Sequence, residues 1–250
     1  MEQVKIAIIG GSGIYDIQAI KDVTTIEVNT PFGKPSDVII IGSLEGVRFA
    51  FLPRHGRGHK ISPTELNFRA NIYALKTLGV EQILSISAVG SLKQDLKPRD
   101  FVIPDQLFDW TKQRVSTFFN EGLVAHVGFA DPFCPELSKL ALNAAKDCGI
   151  TVHKGGTYVC IEGPQFSTRA ESNVYRQLGF SIIGMTALPE AKLAREAEMC
   201  YTTVALVTDY DVWKEDEDVS VEKVIANLTA NSENAKEFIK KIVPEMQKAR

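Results

Sequence analysis

The sequence predicts an α/β protein with a mixed central sheet flanked by helices, on three observations. Short β-branched apolar runs alternate with stretches of helical periodicity along the chain. Two strand-like runs, Val38 to Ser43 and Val47 to Leu52, meet through Leu44-Glu45-Gly46, a connection suited to an antiparallel hairpin, so the sheet is not purely parallel. The chain has 250 residues and 44% hydrophobic content, enough to fill one large core, with no internal repeat. A single domain over residues 1–250 accounts for these features.

Composition narrows the partners. A formal net charge of -3, with acids and bases interspersed and no Lys/Arg-rich block, gives no field for nucleic acid or an anionic membrane surface. Met1 to Lys5 leads straight into a strand-like run without a signal pattern, and no apolar run reaches transmembrane length, so a cytoplasmic protein is expected. Cys134, Cys148, Cys160 and Cys200 form neither a CxxC pair nor a zinc pattern. They read as reduced core residues, with a disulfide between two of them left open.

In chain order, Val4 to Ile9 is a strand that breaks at Gly10-Gly11-Ser12-Gly13. That turn suits an anion or simply a reversal, and it lacks the GxGxxG spacing of a dinucleotide site. The strand ending at Leu52 runs into Pro53-Arg54-His55-Gly56-Arg57-Gly58-His59-Lys60, a glycine-rich loop of basic and imidazole groups that fits an anion. His55 and His59 have the spacing of a helical metal pair, but the glycines oppose a helix and no acidic ligand is near, which ranks phosphate above zinc. Ser62-Pro63-Thr64-Glu65 is a capping box that predicts a helix from there to Gly79. Gln82 to Ser87 forms the next strand and ends in an Ala88-Val89-Gly90-Ser91 turn, where a hydroxyl and amides can meet a ligand.

Arg99 to Ile103 is a further strand, and Pro104 to Asp131 an irregular, aromatic-rich segment containing His126. Pro135 to Cys148 predicts a helix, and Thr151 to Ile161 one long strand running into Glu162-Gly163-Pro164-Gln165-Phe166. Thr168 and Glu171 form a second capping box. Phe166 therefore sits at a strand-to-helix turn, as core or as a flat face for a base. After a short strand at Ser181 to Gly184, Met185-Thr186-Ala187 leads into a helix over Leu188 to Ala197, with Thr186 as its cap. Tyr201 to Val207 is an apolar strand ending in Thr208-Asp209-Tyr210-Asp211. Acids beyond the carboxyl end of a strand are placed to meet a ligand, although the charges from Lys214 to Asp218 equally suit a solvated turn. Ser220 would cap a last amphipathic helix with Val221, Val224, Leu228 and Phe238 on its apolar face.

The motifs Gly10-Gly11-Ser12-Gly13, Arg54-His55-Gly56-Arg57-Gly58-His59, Asn67-Phe68-Arg69-Ala70-Asn71, Ser87-Ala88-Val89-Gly90-Ser91, Glu162-Gly163-Pro164, Gly184-Met185-Thr186 and Thr208-Asp209-Tyr210-Asp211 follow one another over nearly the whole length. In that order the chain resembles the trimeric purine nucleoside phosphorylase and methylthioadenosine phosphorylase family. The resemblance implies a single-domain, three-layer nucleoside phosphorylase/hydrolase-like fold and reversible cleavage of an N-glycosidic bond by phosphate. It points to 5'-methylthioadenosine as substrate, with a broader adenosine, inosine and guanosine specificity as the rival. It further implies inorganic phosphate as co-substrate, no metal or organic cofactor, and a homo-oligomer, either a trimer or a dimer of trimers. Carried onto this sequence, phosphate would be held by Ser12, Arg54, His55, Ser87, Ala88 and Thr186. Met185 would cover the ribose and Phe166 pack against the base, with Asp209 and Asp211 as the catalytic pair at the purine edge. His59, Val221 and Val224 would approach the 5' group, and His126 would reach in from a neighbouring subunit.

The chemistry of the two aspartates follows from donors and acceptors. A carboxylic acid that donates to adenine N7 and accepts from the 6-amino group matches that base. Negative charge builds on the base as the bond breaks, so an acid at N7 lowers the barrier, and burial would raise its pKa toward the working pH. Asp209, where 6-oxopurine enzymes of the family place asparagine, implies a preference for aminopurines. Two positions depart from the family: Gln165 replaces a common arginine, and Ser12 a threonine whose hydroxyl it keeps. Of other classes, a nucleotide-binding oxidoreductase lacks its fingerprint here. A ligand sensor would not need both a basic phosphate loop and an acid for N7.

Overall fold

The computed structural model describes residues 4–11, 20–214 and 221–248, without side-chain description over 221–225. Ser12, Val219, Ser220 and the acids at 215–218 lie outside the described residues, as do the side chains of Val221 and Val224. The strands are β1 (Ile6–Gly10), β2 (Lys21–Ile26), β3 (Ile39–Leu44), β4 (Val47–Pro53), β5 (Gln82–Ser91), β6 (Phe101–Ile103), β7 (Gln106–Trp110), β8 (Val152–Lys154), β9 (Thr157–Ile161), β10 (Ile182–Gly184) and β11 (Cys200–Asp209). The helices are α1 (Phe68–Thr77), α2 (Pro135–Asp147), α3 (Arg169–Gln177), α4 (Glu190–Glu196) and α5 (Val221–Lys248).

The described strands form one mixed sheet. At its heart β4, β1, β5 and β11 run parallel, so their carboxyl ends open on one edge. The hairpin of β3 and β4 turns through Glu45 and Gly46, at φ 50° and 80°, the left-handed pair that a tight two-residue turn requires. β10 pairs antiparallel with the far end of β5 and parallel with β9, which in turn pairs parallel with β7.

Alternation along the buried strands produces three layers. Ile6 and Ile8, Phe49 and Phe51, Leu84 and Ile86, and Val204 and Leu206 pack on one face against α2 and α5, whose Leu137, Phe238, Ile239 and Ile242 are buried there. Their neighbours Ala7 and Ile9, Ala50 and Leu52, Ile83, and Ala205 and Val207 pack on the other face against α1 and α4. By the same parity Arg54, Ser85, Ser87, Tyr201 and Thr203 project toward the α4 side, where a polar cluster interrupts the apolar layer.

Local structure departs from the sequence reading in several places. Of the expected Ser62–Glu65 capping box only the glutamate half forms: Glu65 Oε2 accepts from the Ser62 amide at 3.1 Å and from its hydroxyl at 2.6 Å, while the Glu65 amide bonds the Ser62 carbonyl and closes a turn. Helix α1 starts only at Phe68, capped by Asn67, whose side chain accepts from the Ala70 amide. The turn expected at Ala88–Ser91 is a continuation of β5, because β11 and β10 supply partners as far as Ser91. The long strand expected over Thr151–Ile161 is two strands, broken where Gly155 and Gly156 adopt φ 85° and 105°, so that β8 pairs with β6 while β9 pairs elsewhere. The irregular segment after Pro104 contributes β7.

Two cysteines are not reduced. Cys134, at the N-terminus of α2, and Cys200, at the start of β11, form a disulfide. Sequence spacing could not find it, since 66 residues separate the pair. Cys160 is a free, fully buried thiol, and burial pushes its pKa up to about 12. Among the described residues no helix is long and apolar enough to cross a membrane.

Candidate active site

A cavity of about 760 Å³ lies across the carboxyl ends of the parallel strands. It gathers Arg54 and His55 from the end of β4, Ser87 to Gly90 from β5, Met185 and Thr186 from beyond β10, and Asp209 and Asp211 from the end of β11. Gly11, His59, Phe166, and Leu228, Thr229 and Ser232 of α5 complete much of its wall. Strand-end placement in an open α/β sheet is where a ligand is expected.

At one end Arg54 is held by its neighbours with almost no freedom. Its Nε donates to Glu190 Oε2 at 2.9 Å, Nη2 to Glu190 Oε1 at 3.1 Å and to Ser85 Oγ at 2.6 Å, and Nη1 to the Ile86 carbonyl at 2.9 Å. Of the guanidinium's five N–H groups, one on Nη1 has no acceptor among the described residues, and the side chain lines the cavity. Glu190 Oε1 also accepts from Ser85 Oγ at 2.7 Å and from the Tyr201 hydroxyl at 2.8 Å, which accepts in turn from Thr203. Burial opposes the Arg54 charge, but the Glu190 carboxylate outweighs it and holds the pKa raised. Thr186 Oγ1 lies 3.0 Å from Ser87 Oγ, so two further hydroxyls face the same end.

His55 is a neutral ring. Its Nδ1 donates to the Ile61 carbonyl at 2.9 Å, which leaves Nε2 as an acceptor, and burial together with the Arg54 charge lowers its pKa to about 4. Its ring stacks on that of His59, centroids 4.3 Å apart, where burial also lowers the pKa. Stacked rings on a turn, rather than a helical pair, are what Gly56 and Gly58 at positive φ allow. Among the described residues no His/Cys/Asp/Glu cluster has metal-binding geometry.

At the other end the carboxyl groups are unequal. Asp209 Oδ1 accepts from the Asp211 amide at 2.8 Å and Oδ2 from the Thr208 hydroxyl at 2.7 Å. Asp211 Oδ2 is buried with no hydrogen-bond partner among the described residues, and its backbone sits at φ 52°. Burial raises the pKa of Asp209 against those two donors, and burial, with the Asp209 charge adding, pushes Asp211 up to about 6. Gly90 permits the crowding: a Cβ there would lie 3.0 Å from Asp209 Oδ1 and 3.4 Å from Asp211 Cβ. Asn227 and Asn231 of α5 donate to the carbonyls of Thr208 and Val207, fixing β11 where its register shifts before Asp209.

A second buried cation joins the loops between these ends. Arg114 donates to the carbonyls of Ile161, Glu162, Met185 and Leu188 and pairs with the Glu162 carboxylate at 3.3 Å. It ties the Ile161–Glu162 end of β9 to the Met185–Leu188 turn and gives the Glu162 carboxylate an arginine partner.

The structure thus brings together Arg54, His55, His59, Ser87, Ala88, Phe166, Met185, Thr186, Asp209 and Asp211. Ser12, Val221 and Val224 cannot be placed, lying outside the described side chains. His126 is exposed and does not line its own chain's cavity. Thr186 does not cap α4; the N-cap is Pro189, which makes no side-chain bond, and the Thr186 hydroxyl turns to Ser87 instead. Sequence reading missed Glu190, Ser85, Tyr201 and Thr203. The available signal was polar residues at alternate positions in otherwise apolar strands, together with an acid opening an apolar helix.

Fold and cavity define a class: an α/β protein whose strand-end cleft carries a fixed arginine and two hydroxyls at one end and two carboxyl groups at the other. The chain belongs to the phosphorylase superfamily, whose model matches residues 5–244. It is 59% identical over 249 residues to the S-methyl-5'-thioadenosine phosphorylase of Koribacter versatilis, covering 99% of this chain and 85% of that one. The crystal structure of a methylthioadenosine phosphorylase from an antarctic soil metagenomic library superposes with a TM-score of 0.96 at 55% identity, covering 99% of this chain and 88% of that one. The methylthioadenosine phosphorylase of Schistosoma mansoni, solved with adenine, superposes with a TM-score of 0.94 at 40% identity, covering 98% and 93%. The nucleoside phosphorylase fold expected from the sequence is the fold observed.

Proposed function

We infer that this chain catalyses phosphorolysis of 5'-methylthioadenosine, giving adenine and 5-methylthioribose 1-phosphate. One observation carries the reading: a single cavity has a fixed arginine and two hydroxyls at one end and two carboxyl groups of raised pKa at the other. Its volume suits a ligand of nucleoside size. A phosphate oxygen bonds to C1' of the ribose as the bond to N9 breaks, and the electron pair of that bond leaves with the purine. The Asp209–Asp211 pair gives a proton to N7, and the proton released by phosphate restores the acid through solvent. Asp209 is held for this by the Thr208 hydroxyl and the Asp211 amide. Neutral His55 adds no charge; its Nε2 accepts from a protonated phosphate oxygen.

Inorganic phosphate is the co-substrate, and the reaction needs no metal or organic cofactor. The enzyme works in the cytoplasm as a homo-oligomer, a trimer or a dimer of trimers. Leu123, Val124 and Val127 are 60%, 75% and 42% exposed on either side of His126, an apolar stretch suited to a subunit contact that delivers His126 to a neighbouring cavity. Incubation with 5'-methylthioadenosine, adenosine and inosine, with and without phosphate, tests the reading by chromatography of the free base. Adenine should appear only with phosphate. Release that ignores phosphate would make the enzyme a hydrolase, and equal rates on all three nucleosides would make it a broad purine nucleoside phosphorylase.

A further inference from the structure

Behind the anion end lies a hydroxyl that never reaches the cavity. Tyr158 of β9 is fully buried, and its phenol oxygen lies 3.3 Å from Ser87 Oγ, itself 3.0 Å from Thr186 Oγ1. Ser87 and Thr186 line the cavity; Tyr158 does not. The backbone leaves room for this hydroxyl in particular: a Cβ on Gly184 would lie 2.0 Å from it. It therefore fills the volume that a side chain at 184 would need, beneath the turn that carries Met185 and Thr186. Burial pushes the phenol up to about 12, so it is a neutral O–H donor.

Each of the three hydroxyls has one proton to give. Ser87 Oγ reaches the Ala88 carbonyl only at 3.4 Å, so with Ser87 and Thr186 alone the nearer acceptor for either proton is the other hydroxyl, and a proton spent there is lost to an anion. A third donor on Ser87 Oγ removes the conflict. We propose that Tyr158 is a positioning residue for the phosphate co-substrate, donating to Ser87 so that the protons of Ser87 and Thr186 both turn toward the anion. A hydroxyl that accepts from a phenol is also polarised into a better donor. The assignment rests on the phosphorolytic reading above.

Tyr158→Phe removes one oxygen and keeps the ring. Steady-state kinetics on the folded variant, with 5'-methylthioadenosine and inorganic phosphate varied in turn, should show KM for phosphate raised about ten-fold, the loss of one hydrogen bond to a charged group. KM for the nucleoside and kcat should stay within about two-fold, and in a Thr186→Val background the same change should add less than about two-fold. Tyr158→Met carries the same expectation should the phenylalanine variant not fold. An unchanged phosphate KM, equal rises in both backgrounds, or a parallel rise in nucleoside KM would overturn the assignment. Wild-type enzyme that releases adenine without phosphate would overturn the phosphorolytic reading, so the two failures are read on different proteins.

Discussion

The two ends of the cavity solve opposite problems. At the anion end nearly every polar group is bonded before any ligand arrives: Arg54 is clamped by Glu190, Ser85 and the Ile86 carbonyl, and Glu190 by Tyr201. At the end that we assign to the base, a buried carboxyl oxygen of Asp211 has no hydrogen-bond partner among the described residues and its backbone is strained. On the phosphorolytic reading proposed above, the difference has a reason: inorganic phosphate is a fixed shape that a rigid cradle can anticipate, whereas a leaving base changes its protonation during the reaction and would complete the unsatisfied groups' bonds at that step.

The largest effect should come from breaking the rigid end. Arg54→Ala strands Glu190 in the core without a counter-charge, which should lower stability by about 3–5 kcal/mol in urea melts. Phosphate-dependent turnover should fall at least about 100-fold. Pairing Arg54→Met with Glu190→Leu should recover most of the stability and none of the turnover. Recovery of turnover would mean that Arg54 supports the fold and not the anion.

Asp209→Asn attacks the other end. Loss of a proton donor at N7 should reduce kcat/KM on adenine nucleosides by about 100- to 10,000-fold, with stability little changed. Inosine should improve relative to adenosine, and an unchanged ratio in a competitive assay would remove Asp209 from base selection.

The same contrast governs what was legible in the sequence. The carboxyl end of the cavity lay in one stretch, Thr208-Asp209-Tyr210-Asp211, at the end of an evident strand, so its cavity-lining acids could be picked out directly. The arginine end was legible only in its cavity-lining front row, Arg54-His55 and Thr186. Its support, Glu190, Ser85, Tyr201 and Tyr158, comes from distant strands and a helix whose polar residues look like ordinary substitutions in apolar runs until the sheet parity aligns them. The strands β1, β4 and β11 and the β3–β4 hairpin were legible from period and turn chemistry. The start of α1 was not, since the Ser62 and Glu65 pair closed a turn, with only the glutamate half of a capping box formed, and Asn67 capped the helix. The disulfide was invisible because only the fold brings its cysteines together.

Acid titration offers a third way to separate the ends, by stability alone. Asp211 rises from 3.8 to about 6, so the folded state holds its proton longer than the unfolded one, and this group's stabilisation is present below pH 3.8 and lost as pH rises through 6. His55 falls from 6.5 to about 4, so the unfolded chain binds the proton first, and stability is lost as pH drops from 6.5 through 4. Each shift corresponds to on the order of 3 kcal/mol, with opposite sign over the same window. The wild-type contributions nearly cancel. Asp211→Asn should leave stability climbing from pH 4 to 6, and His55→Gln should leave it falling, both read from urea midpoints. Parallel slopes in the two variants would show that the two ends are not set apart as described.

The smallest expected effect tests whether the ends are independent. Phe166 is 55% exposed in the chain, an unusual state for a phenylalanine, and its ring lies on the cavity wall beside Ser167 and Pro164. Contact with a base would cover that ring, and an aromatic pair contributes about 0.5–1.5 kcal/mol beyond area burial. Phe166→Ala should therefore raise KM for the nucleoside by roughly two- to ten-fold. KM for phosphate should stay where it is, because Arg54, Ser87 and Thr186 are held by β4, β5, β9 and α4 and not by the Phe166 loop. Arg114 does join the Ile161–Glu162 segment that leads into this loop to the carbonyl of Met185, the residue before Thr186, a route by which the loop could reach the anion. A phosphate KM that rose in step with the nucleoside KM would locate the coupling there, and Arg114→Lys, which keeps the charge and loses the fork of donors, should then reproduce it.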